Sequence, residues 1–242
     1  MKKIALLPLC LLVVIVSAAQ ETSTPKKTSK KIDLAGRPGD HFLIQLGYTG
    51  WAGKPDSIST KGFSKSFNVY FMFDFPFKTN PKLSMAFGPG IASDHIIFDK
   101  TYVGIKESTT TLQFRDQSDT NYFKKTKLAT TYLEAPVEFR YTADPLRPGK
   151  SLKFAVGVKV GTMLNAHTRN KTLQNKSGNT INDYTMKETS KRYFNTTRLL
   201  GTARFGLGHF SLYGSYQITT LFKEGVAAEI RPFTIGLTLS GL

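Results

Sequence analysis

The chain has 242 residues, enough for one domain of barrel or sandwich size, and carries a formal net charge of +16 with a pI near 9.8. Its lysines and arginines are spread among strands, turns and a tail, without interleaved aromatic residues, which argues against a nucleic-acid-binding protein. A basic surface beside anionic lipid or lipopolysaccharide fits this charge at least as well. The single cysteine, Cys10, lies in a predicted leader, so the mature chain would have no disulfide, zinc-thiolate site or cysteine nucleophile.

The N-terminus has the three parts of a secretory signal peptide over residues 1–19. Met1-Lys2-Lys3 is a basic start, residues 4–16 are an apolar run too short for a good membrane span, and Ser17-Ala18-Ala19 supplies small residues for cleavage. Loss of this leader would lower the formal charge from +16 to +14. Residues 20–40 are polar and basic and have little to bury, so we predict a flexible periplasmic tail.

About eight later segments of roughly ten residues alternate with a period of two, which is typical of β-strands. The clearest runs from Ser66 to Phe77, where every odd-numbered residue from Phe67 is phenylalanine or valine. The segment from Thr131 to Tyr141 sets apolar residues against a face that carries two carboxylates and a guanidinium. We predict strands at 42–51, 66–77, 83–93, 128–142, 152–164, 196–207, 209–220 and 233–242.

The opposite faces of these segments are rich in Gly, Ala, Ser and Thr with a few charges, as in the interior of a narrow barrel. The phenylalanines from Phe67 to Phe77 are too bulky to line an eight-stranded interior, so the apolar faces should point outward to lipid. A soluble sandwich would be poorly covered by such small residues, and a soluble ligand-binding barrel would hold its long apolar side chains inside. The pattern predicts an all-β fold over residues 41–242, an eight-stranded antiparallel up-and-down transmembrane β-barrel.

Short and long connections alternate strictly between the predicted strands. The short ones are at about 78–82, 144–151 and 206–209, and the long ones at about 52–65, 94–127, 165–194 and 221–231. Outer-membrane barrels have short periplasmic turns and long external loops, so we predict a bacterial outer-membrane protein with both termini in the periplasm. Aromatic residues near the long loops are expected to form an interfacial girdle: Tyr48, Trp51, Phe98, Tyr102, Tyr193, Phe194 and Phe222.

Pro136 lies in the middle of a predicted strand, where every backbone amide should be paired. We therefore expect a β-bulge at this position, and Pro89 raises the same question more mildly.

Residues 132–141, Tyr-Leu-Glu-Ala-Pro-Val-Glu-Phe-Arg-Tyr, resemble the Tyr-(Ile/Leu)-Glu-x-Pro-(Leu/Val) strand of the porT-like family of bacterial outer-membrane β-barrel domains. The closing segment from Pro232 to Leu237 resembles that family more weakly, and together the likeness covers residue 41 to the end. The resemblance implies an eight-stranded barrel after a signal peptide, with the proline tolerated. It carries no catalytic set, and one branch of the family serves in type IX secretion.

On this register, charged residues from several strands point into the barrel: Asp74, Glu134, Glu138, Arg140, Lys153, Lys159, Arg198 and Arg204. We predict a structural network of paired charges that fills the narrow lumen, because unpaired buried charges are costly. Glu134 should face Lys159 if the hairpin turns near Leu146. Acid–base catalysis by Glu134 and Glu138 is the alternative interpretation.

Two histidine arrangements could carry lipid chemistry. His209 and Ser211 match the His-x-Ser pair of lipid A deacylase barrels, but they lie beside a short turn, at the end away from lipid A. His95, with its neighbouring aspartates Asp94 and Asp99, and His167 at another rim could form an external site. The sequence has no glycine-rich phosphate loop and no metal-ligand spacing.

We therefore predict no catalytic, cofactor-binding or metal site. The leading hypothesis is a structural or interaction role, in which loops 94–127 and 165–194 meet lipopolysaccharide, outer-membrane lipid or a protein partner, and not nucleic acid. The alternatives are a lipid-modifying enzyme at the rim near His95 and His167, and a component of a secretion assembly. A soluble ligand-binding barrel and a transporter are weaker hypotheses, the latter because the lumen should be plugged.

Overall fold

The computed structural model describes residues 41–241. The predicted signal peptide, the predicted tail and Leu242 lie outside these residues. Among residues 41–241, no helix is long and apolar enough to cross a membrane.

The described chain is built from antiparallel strands, with one short 3-10 helix at Pro148–Lys150. In chain order the strands are β1 (Phe42–Ala52), β2 (Lys65–Phe71), β3 (Phe73–Pro76), β4 (Leu83–Phe87), β5 (Gly90–Phe98), β6 (Thr101–Val103), β7 (Phe114–Asp116), β8 (Tyr122–Thr142), β9 (Leu152–Gln174), β10 (Thr180–Thr189), β11 (Thr197–Leu207), β12 (Phe210–Gln217) and β13 (Arg231–Ser240).

Eight of these strands close into a ring in the order β1, β2, β5, β8, β9, β11, β12, β13 and back to β1. β3 and β4 continue β2 and β5 beyond short interruptions, and β10 pairs with the part of β9 that extends past the ring. Each predicted segment coincides with one ring strand or with such an interrupted pair. The predicted all-β, eight-stranded antiparallel barrel is confirmed.

Short and long connections alternate as predicted. We call the end with connections 77–82, 143–151 and 208–209 the turn end, and the end with connections 53–64, 99–121, 175–196 and 218–230 the loop end. Several predicted loops contain strand: β5 continues to Phe98, and β8 and β9 extend to Tyr122 and Gln174. The long connections are therefore more ordered than their polar composition suggested.

The wall of the barrel is apolar outside and polar inside. Phe75, Leu212 and Leu237 point outward with 53%, 59% and 59% of their surface exposed, whereas the inward Gln45 and Thr238 are fully buried. Exposed apolar residues cover the outer wall on every ring strand, and we call this surface the apolar belt. This arrangement is the reverse of that in a soluble protein. It suits a lipid bilayer, because hydrocarbon solvates the apolar outer face and polar groups can lie only in the lumen.

Pro136 is accommodated by a break in the neighbouring strand, and the expected bulge at Pro136 is wrong. β8 runs through this position in register with β9, where Pro136 lies opposite Lys159. On the other side, Gly88 and Pro89 separate β4 from β5 at the same level, between the Phe87–Val137 and Gly90–Glu134 pairs. Pro136 has no N–H to donate. Because the neighbouring strand is interrupted at this level, no hydrogen bond of the β-ladder is lost there. The register shift of β8 and β9 lies instead at Thr131 and Tyr132.

A hydrophobic cluster, the loop-end cap, closes the barrel at the loop end. All four long connections contribute to it. Phe222 and Phe194 are 1% and 0% exposed, and their ring centroids are 5.2 Å apart. Trp51 packs edge-on against Phe98 and Phe222, with ring centroids 5.4 and 5.9 Å apart. The other buried members are Ile58, Ile96, Val103, Ile105, Leu112, Leu128, Tyr132, Met163, Ala166, Tyr193, Leu221 and Ile230.

The cap corrects the predicted aromatic girdle. Phe98, Tyr193, Phe194 and Phe222 are inside the cap because loop residues bury them, which the strand pattern cannot indicate. Tyr48 does match the prediction: it is 42% exposed on the outer wall, with its ring 5.6 Å from that of Phe63.

We expect Gly88→Ala to destabilise the barrel by about 1–3 kcal/mol, because a Cβ at this position would lie 1.8 Å from the Phe71 carbonyl oxygen. The free energy of unfolding can be measured by urea titration in lipid vesicles, with the fluorescence of Trp51 as the probe. Gly201→Ala is the matched control, since its Cβ would meet no atom within 4 Å. Equal stability of the two variants would contradict the tight approach at Gly88.

Candidate functional site

The lumen holds an ion cluster centred on Arg198 of β11. Its Nε and Nη2 lie 2.6 and 2.5 Å from Glu134 Oε1 on β8, and its Nη1 lies 2.7 Å from Asp94 Oδ2 on β5. The guanidinium carbon is 3.6 Å from the centre of the Tyr132 ring, a cation–π contact. One guanidinium thus joins three strands that are not all neighbours in the ring.

Glu134 extends this cluster across the lumen to β2 and β1. Its Oε2 accepts a hydrogen bond from the Tyr70 hydroxyl at 2.5 Å. Lys159 Nζ donates to the same hydroxyl oxygen at 3.1 Å and to Gln45 Oε1 at 2.9 Å. The lysine therefore reaches Glu134 through Tyr70 and has no direct ion pair with it among the contacts of residues 41–241.

A second cluster lies nearer the turn end. Glu138 Oε2 accepts from Arg140 Nε and from Arg204 Nη2, both at 2.9 Å. Arg140 Nη1 also lies 3.5 Å from Asp74 Oδ1, which accepts a hydrogen bond from the Ser84 hydroxyl. Lys153 lines the turn end of the lumen beside Arg140 and Arg204.

The structure brings all eight predicted lumen residues inside the ring. Glu134, Glu138 and Arg198 are 2%, 1% and 3% exposed. The predicted pairing of Glu134 with Lys159 is wrong by two residues, since Glu134 lies opposite Gly161 and Lys159 opposite Pro136. The geometry of the β8–β9 turn sets this offset, and the sequence alone did not specify it.

Asp94 is a member of the network that the sequence reasoning placed differently. The predicted strand ended at residue 93, so Asp94 was assigned to a loop beside His95. In the structure β5 continues to Phe98, and the alternation of side chains turns Asp94 inward to Arg198. With Asp94 included, residues 41–241 supply four carboxylates and five cations to the lumen.

The contacts of Glu134 and Glu138 are those of structural ion pairs. Each carboxylate is held by at least one guanidinium from another strand. Removal of Glu138 would leave Arg204 buried without its carboxylate, and removal of Glu134 would leave Arg198 with Asp94 alone. A role in proton transfer would require these contacts to break. Among residues 41–241, no group of three or more histidine, cysteine or acidic side chains could hold a metal ion.

His209 and Ser211 do not form a pair. His209 is exposed in the turn between β11 and β12, and its Nδ1 lies 2.9 Å from the Ser240 carbonyl oxygen. Ser211 is buried in the lumen and approaches Gly206. The two residues therefore lack the hydrogen bond that a histidine-activated serine needs.

His95 and His167 lie on the same outer wall, which corrects their placement at separate rims. Both are opposite Ala129 of β8, one on each side, so their backbones are two strand spacings or about 10 Å apart. They point outward, two outward positions beyond Ile91 and Leu164, the last exposed apolar residues of β5 and β9 below them. Strand pairing, which is not local in sequence, brings them together.

His95 contacts a serine, but with the wrong proton arrangement for catalysis. Its Nδ1 lies 3.0 Å from Lys127 Nζ, and its Nε2 lies 3.0 Å from Ser93 Oγ. An ammonium group only donates, so Nδ1 accepts and we assign the ring proton to Nε2. That nitrogen then donates to Ser93 and has no lone pair to take the serine proton.

The closed ring, the apolar outer wall and the charged lumen define an integral outer-membrane β-barrel protein. The model of the outer membrane protein beta-barrel domain family matches residues 36–222, and the chain belongs to this family.

Two solved structures of Ail, the attachment invasion locus protein of Yersinia pestis, are similar to the chain at 14% sequence identity. The structure in complex with the heparin analogue sucrose octasulfate has a TM-score of 0.31 over 82% of this chain and 96% of that one. The other has a TM-score of 0.32 over 82% of this chain and 95% of that one. A search of curated proteins finds no match.

We expect Arg198→Met to destabilise the barrel by roughly 3–5 kcal/mol, because it leaves Glu134 and Asp94 buried without their cation. Adding Glu134→Gln should recover about 1–3 kcal/mol, since one uncompensated charge is removed. Urea unfolding in lipid vesicles measures both values. Arg147→Met is the control for an exposed ion pair and should cost less than about 1 kcal/mol. A double variant no more stable than Arg198→Met would contradict the coupling.

Proposed function

We propose that the protein is a non-catalytic outer-membrane barrel that binds a protein partner at its loop end, through the sheet formed by the upper parts of β8, β9 and β10. In this proposal the loop end faces the exterior and both termini lie in the periplasm. The alternation of short and long connections supports this orientation, because outer-membrane barrels have their short turns on the periplasmic side.

The observation that carries the proposal is a three-stranded sheet that projects past the apolar belt. Residues 122–131 of β8 pair with 165–174 of β9, which pair in turn with β10. β10 is exposed along most of its length and includes Ile181 and Tyr184, which are 52% and 40% exposed. Apolar residues exposed on a solvent-facing sheet are typical anchors of a protein interface.

β10 also offers a free backbone edge. Within residues 41–241 it pairs only with β9, and register shifts between Thr180 and Thr185 interrupt its first half. Such bulges protect an edge from open-ended pairing, whereas the regular segment 185–189 can still accept a partner strand. A component of a secretion assembly is a narrower form of the same proposal, and residues 132–141 contain no residue that marks the secretion branch of the porT-like family.

A lipid-modifying enzyme near His95 and His167 is the second candidate, and the geometry favours it less. Its support is the Ser93–His95 contact at 3.0 Å. Because Lys127 occupies the other ring nitrogen, His95 cannot act as the base for Ser93. His95→Ala should therefore leave the lipid A composition of cells unchanged, and a changed acyl pattern by mass spectrometry would restore this candidate.

Photo-crosslinking in cells tests the partner proposal. A photoreactive residue at position 181 or 184 should give an adduct with one defined protein, identified by mass spectrometry, because these side chains lie on the exposed sheet. Glu224 is the matched control, since it is exposed at the loop end in the connection between β12 and β13. Adducts of equal yield at all three positions, or no protein adduct at 181 and 184, would contradict the proposal.

A further inference from the structure

Six cations form a patch on the outer wall, which we call the cationic wall: Lys65, Lys125, Lys127, Arg169, Lys171 and Lys187. Strand pairing places them in rows. Lys127, Arg169 and Lys187 lie directly opposite one another on β8, β9 and β10, and Lys125 lies opposite Lys171 one row further out. Lys65 is opposite His95 in the row below.

The cationic wall begins where the apolar belt ends. On β9 the outward residues up to Leu164 are mostly apolar. Leu164 is the extra residue at the register shift, and beyond it the outward positions are Asn165, His167, Arg169 and Lys171. From Leu152 to Leu164 the strand covers roughly 40 Å, or about 30 Å along the barrel axis at the usual tilt, close to the thickness of a bilayer core. The patch therefore lies at the level of lipid headgroups.

The six cations have no acidic partner among residues 41–241. None of them forms an ion pair within 4.0 Å, although ten other ion-pair contacts are present in this part of the chain. The residues that act most strongly on Lys127 by charge are all cations, namely Arg169, Lys125, Lys65 and Lys171. The neighbouring acids are held elsewhere: Asp94 pairs with Arg198 in the lumen, and Glu188, next to Lys187 on β10, accepts a hydrogen bond from the Tyr102 hydroxyl at 3.3 Å.

Like charges directly opposite each other on neighbouring strands repel, with Cβ atoms only about 4.5–5.5 Å apart. Arg169 forms two such pairs, one with Lys127 and one with Lys187. Lys125 and Lys171 form a third. An anion bound between the side chains would attract each cation and so offset this repulsion. Phosphate suits the site, because guanidinium binds it through two parallel hydrogen bonds and ammonium groups bind it as point charges.

We propose that the cationic wall binds the phosphate groups of lipid A in the outer leaflet, with the acyl chains lying on the apolar belt below. The observations favour an amphiphile over a soluble anion because the same wall becomes apolar below the cations. Phe67 is the next outward residue below Lys65 on β2, and Ile91, Leu133 and Leu164 lie below the row of Ser93, Thr131 and Asn165. Assignment to the outer leaflet rests on the proposed orientation. The cationic wall shares the upper sheet with the proposed partner surface, and Lys187 belongs to β10, but the partner anchors Ile181 and Tyr184 lie further from the apolar belt along the same strand.

Binding of purified lipid A to the full-length protein in neutral detergent tests this site. The variant Lys127→Gln/Arg169→Gln/Lys187→Gln should bind lipid A at least about tenfold more weakly than the wild type in native mass spectrometry, because the central row loses its charge. The matched control Lys124→Gln/Lys191→Gln/Lys223→Gln removes the same charge from exposed positions elsewhere at the loop end and should bind within about twofold of the wild type.

Dephosphorylated lipid A should bind the wild type as weakly as intact lipid A binds the triple variant. Thermal unfolding in lipid-free detergent shows whether the triple variant is folded, and its Tm should equal or exceed that of the wild type because like-charge repulsion is relieved. Undiminished binding of lipid A by the triple variant, or equal binding of the dephosphorylated lipid, would overturn the proposal. So would displacement of lipid A by an equal concentration of inorganic phosphate, since that result would indicate a soluble-anion site.

Discussion

The contact of Arg198 with Glu134 and Asp94 is the constraint on which the interior depends. An eight-stranded ring in lipid must present apolar residues outward, so its polar residues are forced into a lumen too narrow to hydrate them fully. Each lumen charge then needs a partner from another strand, and Arg198 satisfies two carboxylates from β5 and β8 at once. Arg198, Glu134 and Asp94 therefore compensate one another's charge in the lumen, and their contacts also fix the relative position of opposite walls of the barrel.

Sequence reasoning predicted the strands and the inward charges because side-chain alternation is a local property of the chain. It failed where position depends on partners far away in sequence. Asp94 was missed because its strand continues past the predicted end, and Glu134 was paired with Lys159 because the turn offset was unknown. Phe194 and Phe222 carry no periodic signal, so only the folded loops reveal that they form the cap and not a girdle. His95 and His167 became neighbours only through the shared register of β8.

These features divide the molecule by role. The ion clusters and the loop-end cap close the barrel, and their side chains are occupied with one another. Two surfaces beyond the apolar belt are not occupied in this way. One is the cationic wall, which has no acidic partner in the described chain, and the other is the exposed strand β10 with Ile181 and Tyr184. The physical case for an interaction role therefore comes from these exposed surfaces beyond the apolar belt.

Ion conductance tests the central claim, that the lumen network and the cap seal this barrel, most directly. Purified protein inserted into a planar lipid bilayer should give no stable conductance steps above those of the protein-free membrane, because the Arg198 cluster fills the lumen and the cap covers its mouth. Circular dichroism and heat-modifiable gel mobility would verify that the inserted protein is folded. Reproducible open steps from folded wild-type protein would contradict the sealed barrel and return transport to first consideration.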